Sequence, residues 1–346
     1  MAHDATPAEL RQLAAAIGLD EAAYLRALEL AGAVPDRQYW LKAINTFLMA
    51  FGALLICAGV AAFFAWNWAE LQKIGKFALI ESGIALAVFI AWRMKLDSTA
   101  GRTALLAAGF LVGVLLAVYG QVYQTGADPY GLFLGWGLLI LPWVIIGRQA
   151  GLWMLLSVLA TLAIIMYWTQ VLFPPSGWWV LSQLLGPLAW LGTTIMDSRL
   201  ATIVFALNVT ILVTWEILAL RGAEWMRARW FPRVMSFGCL TIVLIPTLFM
   251  AIGATFGSND QSSPISPVLF AASIAACFYY YQKRQPDLFI LTLCLLGSIM
   301  VVTCLFARSM RGFDDTLLLA LLIIGQTAGA AFWLRNLSRK WEDATA

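Results

Sequence analysis

The sequence predicts an all-α protein built as a polytopic transmembrane helix bundle. Of its 346 residues 62% are hydrophobic and only 12% are charged, against about 25% charged residues in soluble domains. Mean hydropathy is +0.82. Between about residues 43 and 334, apolar stretches alternate with short polar loops. Stretches of about 20 apolar residues match the roughly 30 Å hydrocarbon core of a bilayer.

Eleven apolar stretches are candidate membrane spans, and tryptophan and tyrosine gather at their ends, as they do at membrane–water interfaces. The stretches are residues 44–66, 77–92, 103–123, 131–147, 152–171, 178–196, 202–220, 234–256, 267–281, 288–307 and 316–334.

Lysine and arginine in the short loops predict the orientation, because cytoplasmic loops carry an excess of them. The loop 93–102 is basic and the loop 124–130 is not, which predicts a cytoplasmic N-terminus. Strict alternation then puts the arginine-rich loop 221–233 outside and the loop 257–267, which has no basic residue, inside. Either one segment between 178 and 220 is re-entrant or the C-terminal tail lies outside, so ten and eleven spans both stay open.

Residues 1–34 predict a small cytosolic helical hairpin that precedes the first span. Thr6, Pro7 and Glu9 have the spacing of a capping box, and Asp20 is placed to cap a second helix. Two helices this short bury too little surface to be stable alone. We expect them to pack on the membrane domain or on a partner, or to form a loosely docked tail.

The remaining domain boundaries follow from composition. Residues 35–43 form an interfacial linker, residues 44–334 the transmembrane helical domain, and residues 335–346 a basic and polar tail. The basic tail favours a C-terminus on the cytoplasmic side and hence an even number of spans.

Three pairs of glycines are spaced four residues apart within the spans, at Gly109 and Gly113, at Gly131 and Gly135, and at Gly325 and Gly329. Such pairs place two glycines on one helix face and let the backbones of neighbouring helices approach closely. Each pair therefore predicts a packing face.

Ionisable side chains inside the spans are the best indicators of a site, because they are costly in a membrane. Glu81 is the deepest of them, and an acid near a helix centre costs on the order of 3 kcal/mol. We expect it to face protein, either as a proton or cation site or as a carboxyl group that joins two helices. Glu216, nearer a span end, is a secondary candidate that snorkelling to the interface explains.

A polar run closes the third span. Tyr119 and Tyr123 are four residues apart on one helix face, with Gln121 between them, and Asp128 follows in the next loop. Together with Asn67 they predict a polar pocket at the outer face, or alternatively a wet interface with belt aromatics.

The sequence lacks the residue sets of most enzymes. The single histidine, His3, excludes an HExxH zinc site and a Ser-His-Asp triad. The five cysteines form no CxxC pair, and no nucleotide-binding loop is present. We therefore expect no catalytic residues, no metal and no cofactor. The net charge of +3 is spread over many loops, so we expect no nucleic-acid partner.

Two blocks of the sequence resemble a known family. The stretch from Gly52 to Val60 leading to Ala65-Trp66-Asn67-Trp68, and the later Gly120-Gln121-Val122-Tyr123 followed by Trp136, are similar to a bacterial family of predicted membrane proteins, domain of unknown function 2157. The likeness covers about residues 8–150. It implies a bacterial inner-membrane protein without an established activity, and it draws attention to Asn67, Gln121 and Tyr123.

Two functions remain after these exclusions. The first is a non-enzymatic component of the inner membrane that works through contact with another envelope membrane protein, besides the lipid bilayer itself. The alternative is a transporter or channel-like protein for ions or small molecules, with a polar path near Glu81 and Gln121.

Overall fold

A computed structural model describes residues 16–18, 20–30, 72–124, 126, 128–172, 198–252, 265–309 and 314–345, together with isolated positions between 40 and 62. These residues lie in helices and short connections, and none of them lies in a strand. The all-α class is thereby confirmed.

Ten α-helices have defined bounds, and nine of them are long and apolar enough to cross a membrane in the described part of the chain. They are α1 Glu21–Leu30, α2 Lys73–Met94, α3 Thr99–Tyr123, α4 Pro129–Gly147, α5 Ala150–Tyr167, α6 Ser198–Leu220, α7 Trp230–Ile252, α8 Ile265–Lys283, α9 Leu288–Arg308 and α10 Asp314–Thr345. A π-helical turn, Trp168–Leu172, extends α5, and a 3-10 turn, Glu224–Arg227, precedes α7.

The chain divides into two compact units. The first comprises residues 1–72 and 332–346, and the second comprises residues 73–331. In the first, Asp20 accepts a hydrogen bond from the backbone N–H of Ala23 at 2.7 Å, which is the predicted helix cap. Gly18 has φ of +72°, as suits the residue after a helix end. Most of the first predicted helix of the hairpin lies outside the described residues.

Nine of the predicted spans coincide with α2 to α10, which confirms the polytopic bundle. Of the other two, 178–196 lies outside the described residues, and 44–66 is described only at isolated helical positions.

The helices of the second unit run antiparallel, and four of their connections lie at the same end of the bundle. Residues 95–98, 148–149 and 221–229 meet around one cleft. Residues 284–287 join them, because Asp287 forms an ion pair with Arg229. We call this end the basic end. The basic residues in or beside these connections are Arg93, Lys95, Arg102, Arg148, Arg221, Arg227, Arg229, Arg233, Lys283 and Arg284.

This arrangement corrects the sequence-based count. The arginine-rich loop 221–233 lies at the same end as the loop 93–102, where strict alternation did not put it. Near the opposite end, Leu200 of α6 packs against Ile165 and Trp168, in α5 and its π-helical extension. The chain therefore leaves α5 and enters α6 at the same end.

Close packing between α3 and α4 depends on one of the predicted glycine faces. The Trp136 indole lies over Gly113, where an added Cβ would come within 2.4 Å of the ring. Its Nε1–H donates a hydrogen bond to the Gly109 carbonyl oxygen at 2.7 Å. Gly109 also lets Leu152 of α5 approach. This pair therefore acts as predicted, by admitting bulky neighbours.

The other two glycine pairs do not act in this way within the described chain. Gly131, Gly325 and Gly329 have open space within 4 Å of an added Cβ, and Gly135 has only a distant contact with Leu116. No large side chain of a neighbouring described helix stands opposite these pairs, so their packing faces stay predictions.

Candidate functional site

One heavily hydrogen-bonded polar side chain near a span end is Glu216 of α6, which is 5% exposed. Its carboxylate accepts hydrogen bonds from the hydroxyl groups of Tyr280 at 3.2 Å and Tyr281 at 3.1 Å. Arg229 Nη1 lies 3.3 Å from Oε1. Both oxygens are therefore occupied by donors from α8 and from the residues that precede α7.

Asp287, at the start of α9, is the second buried acid of this site. One of its oxygens caps the helix by accepting from the backbone N–H groups of Phe289 at 3.1 Å and Ile290 at 3.4 Å. The other lies 3.1 Å from Arg229 Nη2 and 3.0 Å from Arg233 Nε. The Asp287 side chain is only 1% exposed.

Arg229 joins the two acids. One terminal nitrogen serves Glu216 and also donates to Gln285 Oε1 at 2.7 Å, while the other serves Asp287. Arg229 and Arg233 lie on one face because they are four residues apart, and the Arg233 N–H bonds to the Arg229 carbonyl oxygen. We call Glu216, Arg229, Arg233 and Asp287 the ion-pair cluster.

The ion-pair cluster has no net formal charge, since its two acids balance its two arginines. Buried charges persist in proteins when they are paired and hydrogen-bonded, as the two buried carboxylates are here. Both carboxylates already accept several hydrogen bonds, so neither has the free lone pairs of a poised base. Chemically, the arrangement is suited to joining α6, α7 and the α8–α9 connection at the basic end.

The sequence-based account of Glu216 is corrected by this geometry. Its carboxylate does not snorkel to the interface; it is buried against Tyr281 and Arg229. Sequence reasoning missed Arg229, Arg233 and Asp287 altogether. The available signal was weak: two arginines four residues apart before one span, and an acid immediately before another.

Glu81, the principal candidate from sequence, is exposed on α2. The same helix turns Lys76, Ile80, Ala87 and Ala91 inward. Glu81 lies about 100° away from Ile80 around the helix, outside the buried stripe. Within the described chain no side chain covers Glu81, and the expectation that it faces protein stays a prediction.

Tyr119, Gln121 and Tyr123 are all exposed near the end of α3. The two tyrosine rings lie 4.8 Å apart and form an aromatic group with Phe77 of α2, 6.0 Å from Tyr123. Lys73 lies 6.0 Å from the Tyr123 ring. This geometry agrees with the alternative of belt aromatics at a wet interface.

Two further members of the predicted pocket are accounted for separately. Asn67 lies outside the described residues. Asp128 occupies the N-cap position of α4 without a side-chain capping bond.

The fold and the ion-pair cluster together define an integral membrane protein with many helical spans. The model of the family described as "predicted membrane protein (DUF2157)" matches residues 11–153. This match covers less than half of the chain and confirms the resemblance seen in the sequence blocks. No curated protein and no solved structure matches the chain.

Proposed function

We propose that the protein is a non-enzymatic component of the bacterial inner membrane that works through contact with another envelope membrane protein. The observation that carries this proposal is the exposure of Glu81 near the middle of a membrane-spanning helix.

Glu81 lies two to three residues from the midpoint of α2, or about 4 Å along the axis at 1.5 Å per residue. An acidic side chain at this depth costs on the order of 3 kcal/mol when it faces lipid. A partner helix that brings a basic or hydrogen-bond-donating side chain to the same depth removes much of this cost. Charge complementarity therefore favours a transmembrane helix of that kind as the occupant of this face.

The arrangement of the other acids supports a role without catalysis. Glu216 and Asp287 are buried and engaged with arginines, tyrosines or backbone N–H groups. Their bonds hold helices together and present no nucleophile or base to a substrate.

The transport alternative has less support. It required Glu81 and Gln121 to line a path through the protein, and both side chains are exposed at the surface of the described bundle. The cleft at the basic end is lined by residues of the connections and helix ends, and Glu81 is not among them.

The charge distribution supports an orientation with the basic end in the cytoplasm, since cytoplasmic loops are rich in lysine and arginine. Helix α2 starts at the opposite end, so a span at 44–66 would begin at the basic end. The N-terminus would then lie in the cytoplasm. Counting 44–66 as a further span beside the nine described ones, we propose ten crossings with both termini on the cytoplasmic side.

Site-specific photo-crosslinking tests the contact. A photoreactive residue at Ala85 lies about 40° from Glu81 on the exposed side of α2, and one at Leu86, about 140° away, is the matched control. In native membranes we expect Ala85, but not Leu86, to give a discrete crosslinked protein.

The dependence on Glu81 decides the interpretation of that product. Replacing Glu81→Ala should lower its yield about tenfold, equivalent to roughly 1.4 kcal/mol, because the partner's donor loses its acceptor. Glu81→Gln keeps an acceptor and should lower the yield less. A product that forms equally well in the Glu81→Ala variant would show that Glu81 does not recruit the partner.

A further inference from the structure

The basic end contains an open cleft of roughly 1050 Å³, at the point where three connections meet. Its walls come from the α2–α3, α4–α5 and α6–α7 connections and from the ends of the helices beside them. We propose that this cleft binds a phosphate-bearing ligand, held between Arg102 and Arg148 and covered on one side by apolar side chains.

The two arginines supply the charge. Arg102 and Arg148 are exposed and line the cleft from different connections. Arg102 is held in place because its Nε–H donates to the Leu96 carbonyl oxygen at 2.8 Å, which leaves the terminal nitrogens for a ligand. Among the residues that the structure describes, neither guanidinium forms an ion pair. Arginine is well suited to phosphate because its planar group can donate two parallel hydrogen bonds.

The backbone at Arg148 favours a specific role for this side chain. Its φ is +42°, in the left-handed region that glycine or asparagine ordinarily occupies at a helix end. The chain carries arginine there, directly after Gly147. Strained backbone in non-glycine residues occurs preferentially at functional sites. This conformation agrees with the proposal, which itself depends on the two arginine charges and on the cleft between them.

The rest of the lining is apolar or acidic. Ile145 and Ile146 are exposed there at 60% and 67%. Trp225 forms another wall and is fixed by ring contacts with Trp153 at 6.3 Å and with Trp215 at 5.5 Å. Asp97 also lines the cleft and can accept a hydrogen bond from a hydroxyl or ammonium group beside the phosphate.

The location fits this chemistry. The cleft lies at the ends of membrane-spanning helices, at the level where lipid headgroups carry their phosphates. Two sources share the phosphate chemistry, an anionic phospholipid and a soluble phosphate.

The test uses the full chain in nanodiscs. One arm uses phosphatidylcholine discs that contain phosphatidylglycerol, with retained lipid counted by native mass spectrometry. The other uses phosphatidylcholine discs with inorganic phosphate, followed by calorimetry. The double variant R102Q/R148Q is compared with R221Q/R227Q, which removes the same charge from the same end at residues that do not line the cleft.

We expect R102Q/R148Q to lose about tenfold in affinity for one of the probes, while R221Q/R227Q stays within about twofold of the native chain. Loss in the lipid arm identifies a headgroup, and loss in the phosphate arm identifies a soluble ligand. An equal loss in both double variants would reduce the effect to general electrostatic attraction and overturn the proposal. Binding of neither probe by the native chain would also overturn it. If R102Q/R148Q does not fold, R148Q against R227Q gives the same comparison.

Discussion

At the scale of single residues, the most consequential side chain is Asp287, because it makes one helix cap and two ion pairs. It caps α9, pairs with Arg229 and pairs with Arg233, while its own side chain is 1% exposed. Removing one partner of a buried ion pair is costly, since the remaining charges stay desolvated without compensation.

Replacing Asp287→Asn should lower the free energy of unfolding by roughly 3 kcal/mol. Asparagine keeps an oxygen for the helix cap but leaves Arg229 and Arg233 without their shared carboxylate. The arginine side chains are 30% and 44% exposed, which puts the expected loss at the low end of the range for buried pairs. Denaturant unfolding of the protein in detergent micelles measures it.

The matched control for this substitution is Asp97→Asn, which changes an exposed acid at the same end of the bundle. Its unfolding free energy should stay within about 0.5 kcal/mol of the native value. If the Asp287 and Asp97 variants unfolded at the same denaturant concentration, the ion-pair cluster would have no stabilising role.

The sequence identified Glu216 as an ionisable residue within a span but could not identify its partners. Tyr280 and Tyr281 are 64 and 65 residues further along the chain, and Arg229 and Asp287 are 58 residues apart. Contacts between such distant positions depend on how the helices pack, which hydropathy and local spacing do not encode. Snorkelling was the explanation available from neighbours in sequence alone.

At the scale of helices, length and hydropathy were sufficient to predict α2 to α10, because an unsatisfied backbone group is very costly in lipid and only a helix satisfies all of them locally. Which helix faces pack was harder to predict. Three glycine pairs have the same spacing, but among the described residues only the pair Gly109 and Gly113 faces bulky side chains, Leu152 of α5 and Trp136 of α4 respectively. The glycine spacing of one helix does not show which side chain of the neighbouring helix lies opposite it.

Replacing Gly113→Ala should destabilise the bundle by about 1–3 kcal/mol, the usual cost of overpacking. The added methyl group would lie 2.4 Å from the Trp136 ring, so the indole must move and its hydrogen bond to Gly109 must lengthen. The midpoint of thermal unfolding in detergent is the measurement.

Gly325→Ala serves as the matched control, since nothing lies within 4 Å of a Cβ at that position. Alanine is also the better helix former, so stability should stay the same or rise slightly. Equal destabilisation by the two substitutions would contradict the assignment of the α3–α4 contact to Gly113.

At the scale of the bundle, the basic connections of the described second unit lie together at one end. In the second half of the chain the loop charges contradicted strict alternation, because the count took every apolar stretch as a crossing. Residues of 95–98, 148–149 and 221–229 line one cleft, which resolves it by placing these basic connections together. The family match ends at residue 153, before the ion-pair cluster begins.

Labelling of introduced cysteines tests this topology. In a variant without the native cysteines, single cysteines that replace Asp97, Gly222 or Gln285 should react with an impermeant thiol reagent from one side of the membrane. Cysteines that replace Gly126 or Ser309 should react from the other side. Cysteines that replace Leu172 or Ser198 should both react from the same side as each other. Labelling of Asp97 and Gly222 from opposite sides would refute the arrangement.

The ion-pair cluster has a mechanical consequence for the bundle. Its salt bridges join α6, α7 and the α8–α9 connection near one membrane surface. Helices that are joined near one end move least at that end and separate most at the other end. Any rearrangement of α6, α7 and α8 should therefore be a tilting motion that pivots near Arg229 and widens the spacing around Ile252 and Ile265.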